Sequence, residues 1–147
     1  MREIQTHIFR VSVSGEAEIY REIEVDAGKP LYYLAEAIVT AFDFDFDHAF
    51  GFYTGTKPRT MLRTNPRYEL FTDMGEGDGA RGVKRTKIRD AFPAVGGAMT
   101  FLYDYGDEWQ FRIKLVCLGQ KTPKTRYPRV LASKGEAPVQ YDFPEEL

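Results

Sequence analysis

EAEIYREIEVDAGKPLYYLAEAIVTAF, residues 16–42, decides the fold, because the period of its apolar residues changes within it. In the first half Ile19, Ile23 and Val25 alternate with Glu18, Glu22 and Glu24. A period of two predicts a strand with one wet face. In the second half Leu31, Leu34, Ala35, Ile38 and Phe42 recur at helical spacing, a stripe that predicts a core-facing helix. Gly28-Lys29-Pro30 marks the change of period, and Pro30 suits a first helical turn, where its missing N–H costs nothing.

Toward the N-terminus, residues 4–13 place Phe9, Val11 and Val13 on one strand face, and Ser14-Gly15 is a turn signal. The two strands are expected to pair as a hairpin under the helix, a β-grasp-like strand–strand–helix start. His7 shares the face of Phe9 and Val11, which predicts a packed histidine rather than a base.

Toward the C-terminus, strands are expected near residues 49–53 and 67–71, and a helical turn at 88–92. Residues 74–82, MGEGDGARG, predict a mobile loop. Residues 99–105 and 109–118 alternate on either side of Gly106-Asp107-Glu108 and predict a second hairpin. From about 119 the chain carries Pro123, Pro128, Pro138 and Pro144, so a largely irregular tail is expected. The expected class is α+β, a mixed sheet with one main helix on one face, in a single domain over residues 1–147.

A chain of 147 residues, 43% of them hydrophobic, can bury a core without staples. A formal charge of −2 gives no overall pull toward nucleic acid or anionic membrane, so either would need a local basic patch. The single cysteine, Cys117, leaves no intrachain disulfide and no Cys-based zinc cage. Its place in the run IKLVCLG predicts a buried structural thiol. No stretch approaches the ~18–20 apolar residues of a membrane helix. The opening MREIQTHIFRVSV has no apolar signal core, so a cytoplasmic protein with no membrane partner is expected.

Few motifs point to chemistry. Asp43, Asp45 and Asp47 match the start of a calcium loop, but His48 stands where that loop needs glycine and Thr54 where it needs glutamate. A solvated acidic edge is the expectation. Gly77-x-Gly79-x-x-Gly82 lacks the strand–turn–helix setting of a dinucleotide site. With only His7 and His48, and no serine elbow, serine–histidine–aspartate catalysis is unsupported. No metal or cofactor site is expected.

YDYGDEW, residues 103–109, combines three carboxylates, Asp104, Asp107 and Glu108, with three aromatics, Tyr103, Tyr105 and Trp109. Turn chemistry and cross-strand packing explain this pattern better than an acid–base pair. Arg21 would pair with Asp104 or Asp107 if the second strand lay beside this hairpin. Two basic clusters stand out. One comprises Arg81, Lys84, Arg85, Lys87 and Arg89; the other comprises Lys121, Lys124, Arg126, Arg129 and Lys134, with Tyr127 among them. Such segments suit phosphate groups or single-stranded nucleic acid, although an ordinary solvated surface has the stronger claim in an acidic chain.

YDYGDEW followed by an alternating strand resembles the signature of the plasmid pRiA4b ORF-3-like family, also described as insertion-sequence passenger proteins of TnpR type. IYREIEV (19–25), His48 after the helix, TKIRDAF (86–92) and YPRVLASKGEAP (127–138) resemble further parts of its pattern. Phe50 and Phe111 stand where members often have histidines. A histidine-based site in relatives would therefore be missing here. The resemblance implies a setting near mobile elements and assigns no chemistry.

The expected function is a non-enzymatic interaction domain that meets a protein partner. Its candidate contact residues are Arg21, His48, Tyr103, Asp104, Tyr105, Asp107, Trp109, Arg126, Tyr127 and Arg129. A nucleic-acid-binding accessory protein using residues 81–89 and 121–134 is the alternative, and an enzyme using the carboxylates near Trp109 is the third reading.

Overall fold

The computed structural model describes residues 5–57, 60–75 and 79–141. Ile4, Gly77 and Pro144 of the sequence reading lie outside them. β1 (Gln5–Val13) and β2 (Glu16–Asp26) form the predicted hairpin, with Phe9 opposite Ile23. α1 (Leu31–Ala41) follows. Leu31, Leu34, Ala35, Ile38 and Phe42 of the predicted stripe are all 0% exposed.

α1 begins without a side-chain cap. Its first amides are instead satisfied by a distant segment: Leu31 N–H donates to Thr86 O (2.9 Å) and Tyr32 N–H to Val83 O (3.2 Å). At its other end Asp43 adopts φ +62°, and Phe44 N–H returns to Val39 O (2.9 Å). This is a Schellman-type stop in which Asp43 fills a left-handed position usually given to glycine. The role of Asp43 is thereby structural.

Then come β3 (Phe50–Tyr53), a 3-10 turn (Met61–Arg63), β4 (Arg67–Glu69), the single-turn α2 (Leu70–Asp73), β5 (Arg81–Gly82) and α3 (Ile88–Ala91). β6 (Ala98–Tyr103), β7 (Trp109–Gln120) and β8 (Arg129–Lys134) follow and are the last elements among the described residues. All eight strands form one sheet in the order β5-β4-β3-β6-β7-β1-β2-β8. It is mixed, since β4 and β5 run parallel and the other pairs antiparallel. α1 and one sheet face enclose the main core, including Phe9, Val11, Ile23, Phe101, Phe111 and Ile113. The opposite face carries a smaller cluster of Tyr53, Met61 and Leu102 beside Tyr105.

Within the largely irregular tail, β8 pairs with β2 and forms that edge of the sheet. Three expectations are corrected. The expected loop at 74–82 ends in β5, where Gly82 lies opposite Glu69. Cys117 is exposed rather than buried. A bulge between Ile8 and Phe9 sets Phe9 opposite Leu115 but Ile8 opposite Cys117, so the in–out alternation breaks after Leu115. Glu24, read as part of a wet face, is 4% exposed.

Candidate functional site

The hairpin of residues 103–109 sits where β6 ends, against the chain that leaves α1. Tyr103 points into the core and is 0% exposed. Its hydroxyl donates to Asp45 O and accepts the amides of Asp47 (2.6 Å) and His48 (3.1 Å). Burial, with the nearby Asp47 carboxylate adding to it, pushes the Tyr103 hydroxyl up to about 12 although those two amides oppose the shift. Asp104 has φ +66°, and its Oδ1 accepts the amides of Gly106 (3.0 Å) and Asp107 (3.3 Å). That is an Asx turn, so turn chemistry accounts for one of its oxygens.

The other oxygen, Oδ2, lies 3.4 Å from His48 Nε2. The same nitrogen is 2.7 Å from the Tyr141 hydroxyl, which donates to Asp47 Oδ2 (2.8 Å). Asp47 keeps its carboxyl below the usual range: burial works against its charge, but the Tyr141 and Tyr103 hydroxyls and His48 outweigh it. Gln140 adds a clamp on the same segment, accepting Asp45 N–H (2.6 Å) and donating to Asp45 O (3.1 Å). Among the described residues no group of three His, Cys, Asp or Glu side chains is arranged to hold a metal ion. The aromatics divide between the two sheet faces. Trp109 packs edge-on against Phe44 at 4.9 Å, whereas Tyr105 lies with Phe71 at 5.1 Å and hydrogen-bonds Tyr53 (2.7 Å). Asp107 and Glu108 are exposed.

Arg21 does not join this group. β1 and β7 stand between β2 and β6 in the sheet, so the expected pairing with Asp104 or Asp107 is corrected. Its guanidinium instead donates to Ala41 O (3.2 Å), Tyr20 O (2.9 Å) and Lys134 O (3.0 Å), over the Phe42 ring.

The second gathering place lies between α1 and β8. A groove of about 460 Å³ runs there, walled by Ile23, Tyr33, Ala37, Ala41, Pro128 and Val130. It adjoins a cavity of about 250 Å³ that shares Tyr33 and Pro128 and is also lined by Asp26, Lys29, Ile88, Lys121 and Tyr127. Residues of both basic segments, Ile88 and Lys121, thus line one cavity. Several of the cations are already engaged. Arg129 reaches Glu24 (2.7 Å), whose other oxygen accepts Thr6 Oγ1–H (2.6 Å). Lys121 reaches Asp26 (2.9 Å). Tyr127 lies between them, 5.6 Å from the Arg129 guanidinium and 5.9 Å from Lys121 Nζ. Arg126 is exposed nearby.

Sequence reasoning missed Tyr33, Glu24, Asp26 and Tyr141. Tyr33 is 47% exposed in the same side-chain row as Glu36 and Thr40, and its place off the apolar stripe of α1 is the one signal that could have found the groove. Glu24 and Tyr141 act through partners 105 and 93 residues away, and Asp26 through Lys121, which no local pattern reveals.

The profile described as plasmid pRiA4b ORF-3-like protein matches residues 5–141. The chain belongs to the plasmid pRiA4b ORF-3-like family. Phe50 and Phe111, where the resemblance places histidines in other members, are both 0% exposed in the core here. A crystal structure of a protein of unknown function from Methanosarcina mazei Go1 superposes with a TM-score of 0.73 at 23% identity, over 92% of this chain and 72% of that one. At that identity the likeness shows the fold alone. No curated protein matches the chain. No helix among the described residues is long and apolar enough to cross a membrane.

Proposed function

We propose that the protein is a non-enzymatic interaction domain that receives a protein partner along the groove between α1 and β8. The observation that carries this reading is the groove itself. About 460 Å³ of space lies between a helix and an edge strand, lined by apolar side chains together with Glu36, Thr40, Arg129 and Ser133, with Tyr33 47% and Val130 49% exposed on it. Rigid elements with aromatic and aliphatic anchors are what a docking segment needs. The carboxylates near Trp109 favour the same reading over an enzyme, because two turn amides already occupy Asp104 Oδ1. The family resemblance supports a partner encoded by a mobile element, met in the cytoplasm.

The test is affinity capture from a host lysate with the native chain and with a groove-filled variant carrying Thr40→Trp and Val130→Arg. Both positions line the groove and are exposed, so the variant should keep its melting temperature. A protein retained by the native chain and lost by the variant is the expected result. Identical retention by both would overturn the groove.

A further inference from the structure

We infer that the segment received here is acidic and extended, and that it adds as a ninth strand along the outer edge of β8. This rests on the groove reading above and names the chemistry of its partner.

β8 is the last strand of the sheet, and β2 is its one strand partner among the described residues. The Arg21 guanidinium also reaches its main chain, at Lys134 O. An unpaired strand edge is a template for another strand, whose main chain supplies affinity and whose side chains supply selection. Val130 and Leu131, 49% and 43% exposed, give that added strand apolar contact.

Charge selects among the candidate strands. β8 reads RVLASK and contains no acid. Arg129 and Lys121 are committed to Glu24 and Asp26. Lys124, Arg126 and Lys134 are exposed and form no ion pair among the described residues. Lys29, over the Tyr33 ring at 5.4 Å, lines the adjoining cavity. Its neighbour Asp26 is already bound by Lys121 and by Gly28 N–H (2.9 Å). Of these four only Lys134 lies on β8, while Lys124 and Arg126 precede it and Lys29 lines the cavity. Besides Glu24 and Asp26, the carboxylates nearby are Glu36 on the groove wall and the exposed Glu136 after β8, so cations still outnumber acids along residues 121–136. A second copy of the chain is the wrong partner: in-register antiparallel pairing of β8 with itself would set Arg129 opposite Lys134, and like charges directly opposed destabilise a strand pair. An acidic strand meets the same cations favourably.

The probe is a fluorescein-labelled nonapeptide alternating glutamate and valine, followed by anisotropy with the full chain at low and moderate salt. Three comparisons decide the outcome: a lysine–valine counterpart, the same glutamate peptide N-methylated at alternate residues, and a labelled oligothymidylate. The glutamate peptide should bind and weaken with salt, and the N-methylated form, which cannot donate along the edge, should not bind. The variant Lys124→Glu, Arg126→Glu, Lys134→Glu should lose about tenfold or more in affinity. No binding of the glutamate peptide at low salt would overturn the inference, as would equal binding of the lysine peptide or equal binding to the reversed variant. Binding of oligothymidylate alone, lost in that variant, would overturn it in favour of phosphate. If capture depends on the groove while the glutamate peptide fails, the groove reading stands and the acidic strand falls.

Discussion

Tyr103 ties two parts of the chain together through one oxygen. Its hydroxyl serves Asp45 O, Asp47 N–H and His48 N–H, across some 55 residues of sequence. Tyr103→Phe keeps the ring and removes the partner of two amides, so it should cost about 1–3 kcal/mol in denaturant unfolding. The same hydroxyl makes an alkaline prediction. Burial raises it to about 12, above the ordinary value of ~10. A group raised in the folded state stabilises fully below its unfolded value and loses that contribution as pH rises through the folded one. Absorbance at 295 nm should show a tyrosine step near pH 12 accompanied by unfolding, and the step should be absent from Tyr103→Phe. Asp104 gives a sharper contrast. Asn tolerates its φ of +66° and can still accept the amides of Gly106 and Asp107, whereas alanine does neither. Asp104→Asn should therefore stay within about 1 kcal/mol of the native chain, and Asp104→Ala should lose about 2 kcal/mol. Equal losses would mean that the turn does not need this side chain.

Among the elements, those with an unbroken period were legible. The stripe Leu31, Leu34, Ala35, Ile38 and Phe42 specifies α1, and the alternation either side of Gly106 specifies β6 and β7. β8 was not legible, because a bulge between Glu22 and Ile23 breaks its register and it lies on an edge with prolines on both sides. Cys117 was misplaced for a similar reason, since one bulge turns every later residue of the strand to the other face. Of the candidate site, the turn role of Asp104 was legible, whereas its approach to His48 was not, because β3 and β6 pair only in the folded sheet. β8 also explains how Glu24 tolerates burial. Arg129 and Thr6 together satisfy both of its oxygens. Arg129→Ala leaves a buried carboxylate with Thr6 as its remaining side-chain partner. The Arg129 side chain is 46% exposed, so water moderates the loss to about 1–3 kcal/mol. In a double-mutant cycle with Glu24→Gln, the second substitution should recover part of that loss. Strict additivity would show that the pair does not hold β8.

Across the whole molecule, two further carboxylates besides Glu24 tie the C-terminal third to the body. Asp26 binds Lys121, and Asp47 binds Tyr141. Burial opposes the charge on Asp26, yet the Lys121 ammonium and Gly28 N–H hold its carboxyl below the usual range. Asp47 is lowered likewise by the Tyr141 and Tyr103 hydroxyls and His48. Both folded values lie below the unfolded one, so this stabilisation is complete above about pH 4 and is lost as pH falls through the folded values. Melting temperature should hold as pH falls from 7 to about 4 as far as these groups determine it, and then drop steeply. Lys121→Met and Tyr141→Phe should each make the drop below pH 4 shallower, because each removes one cause of a lowered carboxyl. The order of loss comes from the same contacts. β1 pairs on both sides, with β2 and β7, whereas β8 pairs only with β2 among the described residues. Hydrogen exchange at about pH 3 should therefore accelerate first across residues 121–141, with β1 and β7 protected until global unfolding. If all strands lost protection together, Asp26 and Asp47 would be stabilising the whole sheet rather than fastening the segment that forms the wall of the groove.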